Sequence, residues 1–363
     1  MAPPKARPGV LAITPYAGSQ AGKGGTDRVV ISSNESAFGA SWRAMEAYSG
    51  ASEGLRRYPE IDAHSLRLGL AEHHGLEVGK IICGAGSDQL IDLITLAYAG
   101  PGDETLYTEH GFTMYPIATL GVGATPIAVP ESKLTADVDA ILERVNARTK
   151  IVFLANPNNP TGTYLAEDEL RRLHAELPEH VVLVLDAAYA EYVTEEDYDA
   201  GAKLVAEASN VIMTRTFSKI YALASLRIGW AYGPEEIIDI LDRVRPPFNV
   251  SAPSMAAALA ALGDREHTER ARIHNAETLP WFVGAVEALG LRVNPSVGNF
   301  VIVQFDPHSP HDAESAYRFL FGRGIVTRRV AGYGLPDWVR MSIGTRAEME
   351  EVVTSLRAFL ETS

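Results

Sequence analysis

Lys219 is the residue whose surroundings best suit it to covalent chemistry. It comes shortly after an apolar run at 210–214 that predicts a strand, in the segment Thr-Arg-Thr-Phe-Ser-Lys, so three hydroxyl side chains precede it closely. Arg227 follows where the next predicted strand opens. A partly desolvated lysine amine is a usable nucleophile that forms Schiff bases with carbonyl compounds. Most lysines are simply solvated, so this interpretation depends on which other groups reach the same place.

Asp186 comes directly after the apolar run at 181–185, and Tyr189 follows it closely. A carboxylate just beyond a buried parallel strand lies at the carboxyl edge of the sheet, where α/β folds bind ligands. There it could pair with a pyridinium nitrogen and keep that ring protonated, which makes the ring an electron sink. An ordinary helix cap uses the same residue type, so that alternative stays open.

Two further predicted strand ends carry small and polar residues. The segment 155–162 reads Ala-Asn-Pro-Asn-Asn-Pro-Thr-Gly, a rigid turn whose asparagines could be aimed at a ligand oxygen. The segment 83–88, Cys-Gly-Ala-Gly-Ser-Asp, precedes an amphipathic stretch, and backbone N–H groups at a helix N-terminus can approach a phosphate. A plain turn and an N-cap by Ser87 are the structural alternatives. Together the four segments offer a phosphate cradle, a ring-oxygen donor, a ring-nitrogen carboxylate and a Schiff-base lysine.

These segments need a sheet that brings their strand ends to one edge. Between residues 75 and 250, short apolar runs alternate with amphipathic stretches, which predicts βαβ units and a mostly parallel, buried sheet. The predicted strands are 80–83, 104–107, 125–129, 150–154, 181–185, 210–214 and 227–232, and the predicted helices between them are 87–99, 137–145 and 166–176. Beyond a Pro-Pro break, a helical stretch at 254–289, strands at 299–305, 324–328 and 338–342, and helices at 312–323 and 346–361 predict a smaller α+β unit.

The composition excludes several classes of protein. With 32 Lys and Arg against 46 Asp and Glu, the net charge of −14 disfavours a general nucleic-acid binder, which needs a basic face. A single cysteine, Cys83, excludes an intrachain disulfide framework, and no histidine pair has metal-ligand spacing on a helix, so we expect no metal. The apolar runs are far shorter than the ~20 residues of a membrane span. The N-terminus does not resemble a signal peptide, so we expect a cytoplasmic protein.

Longer motifs point to a family. The turn at 156–162 and the Ser-Lys pair followed by Arg-Ile-Gly at 227–229 are typical of one superfamily, and Val-Arg-Met-Ser-Ile-Gly-Thr at 339–345 and the Asn-Glu pair at 34–35 narrow it to one branch. On these motifs the chain resembles the fold-type-I pyridoxal-phosphate-dependent aminotransferases of class I/II, and within them the histidinol-phosphate aminotransferases. The likeness runs nearly end to end. It departs at loops bordering the expected site, for example at Glu109-His110-Gly111, where relatives carry a Pro-Ser/Thr run.

The resemblance implies a role for each matching residue. Lys219 would hold pyridoxal 5′-phosphate and move the proton of the reaction, and Asp186 would pair with the ring nitrogen. The other expected cofactor contacts are Asn159 and Tyr189 at the ring oxygen O3′, Phe112 on the ring face, Gly86, Ser87, Thr216, Ser218 and Arg227 around the phosphate, and Asp88. Tyr58 would reach the phosphate of a neighbouring subunit. The expected anchors of the substrate's anionic end are Arg340 and Arg328, helped by Tyr16 and Asn34.

The expected fold is α/β, with a mostly parallel seven-stranded sheet flanked by helices in a large domain, plus a smaller α+β domain, as in aspartate aminotransferase. We expect an N-terminal arm over 1–29, a large cofactor-binding domain over 53–262, and a small domain from 30–52 and 263–363. The implied reaction converts L-histidinol phosphate and 2-oxoglutarate to imidazole acetol phosphate and L-glutamate, in a homodimer with shared active sites. An aromatic or broad-specificity aminotransferase, and a related decarboxylase of a phosphorylated amino acid, stay open as alternatives.

Overall fold

The computed structural model describes residues 4–15 and 28–362, and fifteen strands lie in this part of the chain. They are β1 (Val29–Val30), β2 (Ile81–Gly84), β3 (Glu104–Thr108), β4 (Thr125–Val129), β5 (Glu131–Ser132), β6 (Thr135–Ala136), β7 (Thr149–Ala155), β8 (Val182–Asp186), β9 (Val211–Thr216), β10 (Gly229–Tyr232), β11 (Arg292–Val293), β12 (Phe300–Gln304), β13 (Ile325–Val326), β14 (Arg328–Arg329) and β15 (Trp338–Ser342).

Thirteen α-helices accompany them in the same described residues. They are α1 (Pro8–Ala12), α2 (Trp42–Gly50), α3 (His64–His74), α4 (Ser87–Tyr98), α5 (Met114–Val122), α6 (Val138–Arg144), α7 (Glu167–Glu176), α8 (Ala202–Glu207), α9 (Glu235–Val244), α10 (Ala252–Gly263), α11 (Arg265–Glu287), α12 (Ala313–Gly322) and α13 (Arg346–Leu360). None of the helices described is long and apolar enough to cross a membrane.

A seven-stranded sheet forms the large unit, in the order β2-β10-β9-β8-β7-β3-β4. All neighbouring strands are parallel except β10, which runs antiparallel to both β2 and β9. The predicted α/β fold with a mostly parallel seven-stranded sheet is therefore confirmed. Because this sheet is largely parallel, the carboxyl ends of β7, β8 and β9 meet at one edge.

Helices cover both faces of this sheet. Successive side chains of a strand point to opposite faces, so Leu183 and Leu185 pack in one apolar core while Val182 and Val184 pack in the other. The first core includes residues of α3, α6, α7 and α10, and the second includes residues of α4, α5 and α9. Burial on both faces explains why these strands read as continuous apolar runs rather than alternating ones.

A four-stranded antiparallel sheet, ordered β11-β12-β15-β14, forms the small unit. It shares an apolar core with α11, α12 and α13. The chain segment just before the large unit joins it, since β1 pairs in parallel with β13 and Ile31 is buried in the same core. In contrast, α2 packs against α10 and buries Ala44 in the core of the large unit, although its residues fall in the 30–52 segment expected in the small domain.

Two element boundaries differ from those predicted for a local reason. The helical stretch predicted at 254–289 is two helices, because Asp264 leaves the helical conformation (φ −92°, ψ 68°) and its side chain caps α11 at His267 N. β10 begins at Gly229 rather than at 227, because Arg227 adopts a left-handed φ of 49°. The helices α3, α5, α8 and α9 were not predicted, and a short helix, α1, lies within the expected N-terminal arm.

Candidate active site

A cavity of about 210 Å³ opens at the carboxyl ends of β7, β8 and β9, on the side where the small unit approaches the large sheet. The expected site residues that line it are Asn34, Ser87, Asp88, Phe112, Asn159, Asp186, Tyr189, Thr216, Ser218, Lys219, Arg227, Arg328 and Arg340. Ser32, Ser33, Ala155, Pro157, Ala188 and Ala224 also line it and were not predicted. Residues more than 300 positions apart in the sequence thus share one cavity.

Lys219 follows the end of β9 in a closed turn. Ala222 N donates to Lys219 O (2.9 Å) and Leu223 N donates to Phe217 O (3.0 Å), which fold the loop back on itself. The Lys219 amine points into the cavity, where Nζ donates to Ser33 O at 3.0 Å and lies 5.5 Å from the centre of the Tyr189 ring. Its position just beyond the end of β9 is the one expected from the sequence, and its role as a nucleophile stays a prediction.

Asp186 is the last residue of β8 and is only 5% exposed. Its Oδ2 accepts a hydrogen bond from the Tyr115 hydroxyl at 2.8 Å, and its Oδ1 accepts one from Thr214 Oγ1 at 3.3 Å. Burial raises the pKa of this carboxyl to about 6, against the opposing effect of the bond from Tyr115. A buried carboxylate of this kind is suited to a cationic partner. The sequence did not indicate Tyr115, because Asp186 lies 71 positions away.

Tyr189 and Asn34 join the two units across the cavity. Asn34 Nδ2 donates to the Tyr189 hydroxyl at 2.9 Å, and Asn34 Oδ1 accepts from Ser342 Oγ at 3.0 Å. The Asn34 backbone has a φ of 55°, and its N–H donates to the same serine oxygen at 2.8 Å. Burial raises the pKa of the Tyr189 phenol to about 12. Asn34 was expected to contact substrate. In the structure its side-chain amide bonds to two protein groups, the hydroxyls of Tyr189 and Ser342.

Small residues make room beside the N-terminus of α4. Gly86 has a φ of +84°, and a Cβ there would lie 2.5 Å from Arg227 Nη2. A Cβ at Gly229 would lie 2.5 Å from Ser87 N. Both positions therefore favour glycine, and the N-cap residue Gly86 has no side chain to bond to the backbone N–H groups at the start of α4. An α-helix N-terminus with accessible N–H groups favours an anion.

Cationic and hydroxyl groups surround the same place. Arg227 Nη2 donates to Asp88 Oδ2 at 2.9 Å, and its Nη1 donates to Ser218 Oγ at 3.4 Å. Thr216 Oγ1 donates to Ser218 Oγ at 2.9 Å, so the two hydroxyls are ordered together. A guanidinium, two hydroxyls and a helix N-terminus form a donor set that matches the oxygens of a phosphate.

Two arginines meet at the small-unit side of the cavity. Arg328 of β14 and Arg340 of β15 are directly opposite each other in an antiparallel ladder, which puts both side chains on one face of the small sheet. Arg340 is 5% exposed and donates to Asn159 Oδ1 and to Ser32 O, the latter at 2.7 Å. Both side chains line the cavity, and the planar guanidinium of arginine can donate two parallel hydrogen bonds to a carboxylate or phosphate. This pair is therefore suited to an anionic group of a ligand.

The remaining expected residues are Phe112, Tyr58 and Tyr16. Phe112 lines the cavity and meets the Tyr115 ring edge-on, with 5.8 Å between ring centres. Tyr58 lies outside the cavity, is 83% exposed, and stacks on Phe248 with 4.7 Å between ring centres. Tyr16 lies outside the described residues.

Comparisons with known proteins agree with this geometry. The family model for aminotransferase class I and II matches residues 26–356. The chain is 51% identical over 362 residues to a histidinol-phosphate aminotransferase of Rhodospirillum centenum (99% of this chain, 100% of that one). It is 49% identical over 361 residues to one of Paramagnetospirillum magneticum, covering 99% of both chains.

Solved structures show the same fold. A histidinol-phosphate aminotransferase from Sinorhizobium meliloti, in complex with pyridoxal-5′-phosphate, superimposes with a TM-score of 0.90 at 27% identity, covering 99% of this chain and 98% of that one. An aspartate aminotransferase from Thermus thermophilus with maleate has a TM-score of 0.85 at 22% identity, covering 98% of this chain and 100% of that one, which is a likeness of fold alone.

Proposed function

Since this chain belongs to the aminotransferase class I and II family, we propose that it transfers the amino group of L-histidinol phosphate to 2-oxoglutarate. The products are imidazole acetol phosphate and L-glutamate, a step of histidine biosynthesis. The observation that carries the choice of donor is the opposed pair Arg328 and Arg340 at the cavity, which suits a dianionic phosphate ester. The names of the relatives at about half identity support the same donor.

Pyridoxal 5′-phosphate fits the groups of this cavity. The glycine-lined N-terminus of α4, Arg227 and the hydroxyls of Thr216 and Ser218 suit its phosphate, while Asp186 suits its ring nitrogen and Lys219 its aldehyde. When bound, the cofactor supplies a ring that accepts electrons from the carbon bearing the amino group. We propose Asn159 and Tyr189 as partners of the ring oxygen and Phe112 as the residue against the ring face.

The chain's own residues then have distinct tasks. Lys219 supplies the amine that takes a proton from one carbon and returns it to another, and one basic group can serve both steps because it stays in reach of both positions. Asp186, ionised and buried, holds the positive charge of the ring nitrogen. The Tyr189 hydroxyl, oriented by Asn34, would donate a hydrogen bond to the ring oxygen of the cofactor. Arg340 and Arg328 orient the substrate through its anionic end.

A homodimer with shared active sites is part of the proposal. Large apolar side chains are exposed along one stretch of the chain, namely Trp42, Met45, Tyr48, Leu55, Tyr58 and Ile61, and Phe248 lies beside them against Tyr58. A patch of this kind is typical of an interface between proteins. Tyr58 lies outside the cavity of its own chain, which supports its expected role at the phosphate of a second copy. The occupant we propose is therefore another molecule of this protein.

The division of the chain is also a proposal. We propose an N-terminal arm, a large cofactor-binding domain and a small domain with the expected boundaries, except that α2 is assigned to the large domain on its packing against α10. A cytoplasmic location belongs to the same proposal and is based on the sequence alone.

The donor is tested by comparing kcat/KM for L-histidinol phosphate, L-histidinol, phenylalanine and tyrosine with 2-oxoglutarate as acceptor. Removal of the phosphate from the donor should lower kcat/KM about 100-fold or more, because a phosphate paired with two arginines contributes several kcal/mol to binding. A higher value for phenylalanine or tyrosine would contradict the proposal in favour of an aromatic aminotransferase. Carbon dioxide release from a phosphorylated amino acid, without glutamate formation, would instead indicate the decarboxylase.

The shared site is tested with mixed dimers of Lys219→Ala and Tyr58→Ala chains. In a mixed dimer one site combines the intact Lys219 of one chain with the intact Tyr58 of the other, so activity and cofactor affinity should return at that site. Unmixed samples of each variant are the matched controls. Activity of the mixture no higher than the sum of these controls, or sedimentation as a single 39.2 kDa chain, would contradict a shared site.

A further inference from the structure

Tyr115 lies behind the cavity, where its hydroxyl meets the carboxylate that ends β8. It is the second residue of α5, is 1% exposed, and its hydroxyl is 2.8 Å from Asp186 Oδ2. A buried tyrosine hydroxyl normally has a hydrogen-bond partner, and here the partner is a group assigned above to the ring nitrogen. A bond donated to a carboxylate is stronger than one between neutral groups and stabilises its ionised form.

The ring of Tyr115 also contacts the second cofactor-facing group of this wall. It stacks on Phe153 of β7 with 4.7 Å between ring centres and an angle of 4°. Phe112 meets it edge-on at 88°, and Tyr115 N donates to Phe112 O at 3.1 Å. One residue therefore touches both the carboxylate and the aromatic side chain that we assign to the cofactor ring.

Contacts between α5 and the sheet hold Tyr115 in position. Thr119, one turn further along α5, donates from Oγ1 to Tyr115 O at 2.7 Å. The same hydroxyl is 2.7 Å from Thr105 Oγ1 of β3, and Thr119 and Thr105 are both buried. Because these contacts join α5 to β3, the phenol is held at the carboxylate before any substrate arrives.

We propose that Tyr115 is a positioning residue of the aminotransferase reaction, which keeps Asp186 ionised and aimed at the ring nitrogen and holds Phe112 against the ring. This inference rests on the proposed function, since it assumes that Asp186 faces the ring nitrogen. The hydroxyl acts through Asp186 and does not itself contact the reacting atoms.

Two opposing influences on Asp186 explain why such a donor is needed. Burial raises the pKa of this carboxyl, and the hydrogen bond from Tyr115 lowers it. Without the donor, the proton shared between the ring nitrogen and Asp186 shifts toward the carboxylate. The ring is then a neutral pyridine more of the time, which makes it a weaker electron acceptor. Thr214, the other side-chain donor, is further away at 3.3 Å and has less influence.

The test is the variant Tyr115→Phe, which deletes one oxygen and keeps the aromatic ring. The holoenzyme is prepared with pyridoxal phosphate labelled with ¹⁵N in the ring, and the nitrogen chemical shift is followed against pH. We expect the apparent pKa of the ring nitrogen to fall by about one unit, and kcat to fall about tenfold with KM little changed. Tyr98→Phe removes a hydroxyl from another tyrosine packed against the same apolar core, and should leave the ¹⁵N titration unchanged.

A second substitution keeps the proposal falsifiable if Tyr115→Phe folds poorly. 3-Fluorotyrosine introduced only at position 115 is a stronger hydrogen-bond donor of nearly the same shape, so it should raise the ring-nitrogen pKa. Opposite shifts from the two changes support the proposal. Unchanged ¹⁵N titration in both overturns it, provided that Asp186→Asn alters the titration. If Asp186→Asn also leaves the titration unchanged, the assignment of Asp186 fails, and with it this part of the proposed function.

Discussion

The two ends of the cavity are built in different ways. The end proposed to hold the cofactor ring, called the ring end below, consists of Lys219 and Asp186 with Tyr115 behind them, and it comes from strand ends and one helix of the large unit. The end proposed to hold the anionic group of the substrate, called the anion end below, is formed by Asn34, Arg328 and Arg340 and belongs to segments that join the small unit. A continuous parallel sheet holds the ring end, whereas the anion end depends on how closely the two units approach. We therefore expect changes at the ring end to affect kcat and changes at the anion end to affect KM.

The largest effect is expected from Lys219→Ala at the ring end. Without this amine no group is held at both carbons between which the proton moves, so kcat should fall about 10⁴-fold or more. Purified wild-type protein should be yellow and should bleach irreversibly with borohydride, and the variant should not form the reducible bond. Full activity of Lys219→Ala would refute the assigned mechanism.

A stability effect is expected from Asp186→Asn in the cofactor-free protein. The pKa of Asp186 is about 6 in the folded protein and near 4 in the unfolded chain, so ionisation of this buried group opposes folding. The resulting decrease in the free energy of unfolding is absent below about pH 4 and grows between about pH 4 and pH 6. It reaches at most about 3 kcal/mol above that range. Asn carries no charge, so the variant should be more stable than wild type at pH 8 by up to that amount.

Urea unfolding at pH 4 and pH 8 measures this difference, and the two proteins should differ little at pH 4. If the unfolding free energies of the two proteins depend on pH in the same way, then burial does not destabilise the ionised carboxylate of Asp186. Added cofactor should narrow the gap at pH 8, because the positive ring nitrogen compensates the buried charge.

A change in KM is expected from Arg340→Gln at the anion end. Loss of one partner of a buried charged pair costs about 2–3 kcal/mol, so KM for histidinol phosphate should rise about 30- to 150-fold. KM for 2-oxoglutarate should rise as well if its carboxylate uses the same arginine. Arg340→Lys is the matched control, since it keeps the charge without the planar fork. A loss confined to kcat would contradict the expectation that the anion end affects KM and the ring end affects kcat.

The smallest effect is expected from His110, which connects the two ends. Its Nδ1 lies 2.6 Å from Tyr333 O in the small unit, and it belongs to the loop that carries Phe112. His110→Phe should raise KM about fivefold, because one hydrogen bond contributes about 1 kcal/mol. His110→Asn can keep the donor and should change KM less. Equal kinetics in both variants and wild type would indicate that the ends are independent.

The ring end was largely predictable from the sequence. Parallel strands buried on both faces appear as apolar runs, and the residue after each run lies at the ligand-binding edge. Lys219, Asp186 and the turn at 156–162 were predicted as site residues in this way, and the structure brings them to one cavity at this edge. The helix α5 was not predicted, and with it Tyr115 was missed, since nothing nearby in the sequence indicates a bond to a carboxylate 71 positions away.

The anion end was identified by motif and not by its contacts. The resemblance suggested Asn34, Arg328 and Arg340, but only the structure shows that Asn34 orients Tyr189 and that the two arginines oppose each other across one ladder. The position of Tyr58 outside its own cavity likewise follows from packing.

The sequence by itself determined the α/β class, the strand ends and the residue types available at them, because hydrophobic periodicity and turn chemistry act over a few neighbouring residues. Tertiary structure alone decided which of those groups meet. Contacts such as Asn34 to Ser342, 308 positions apart, depend on the packing of two cores against each other. Local sequence patterns do not predict that packing, because it arises from the sum of many non-directional apolar contacts.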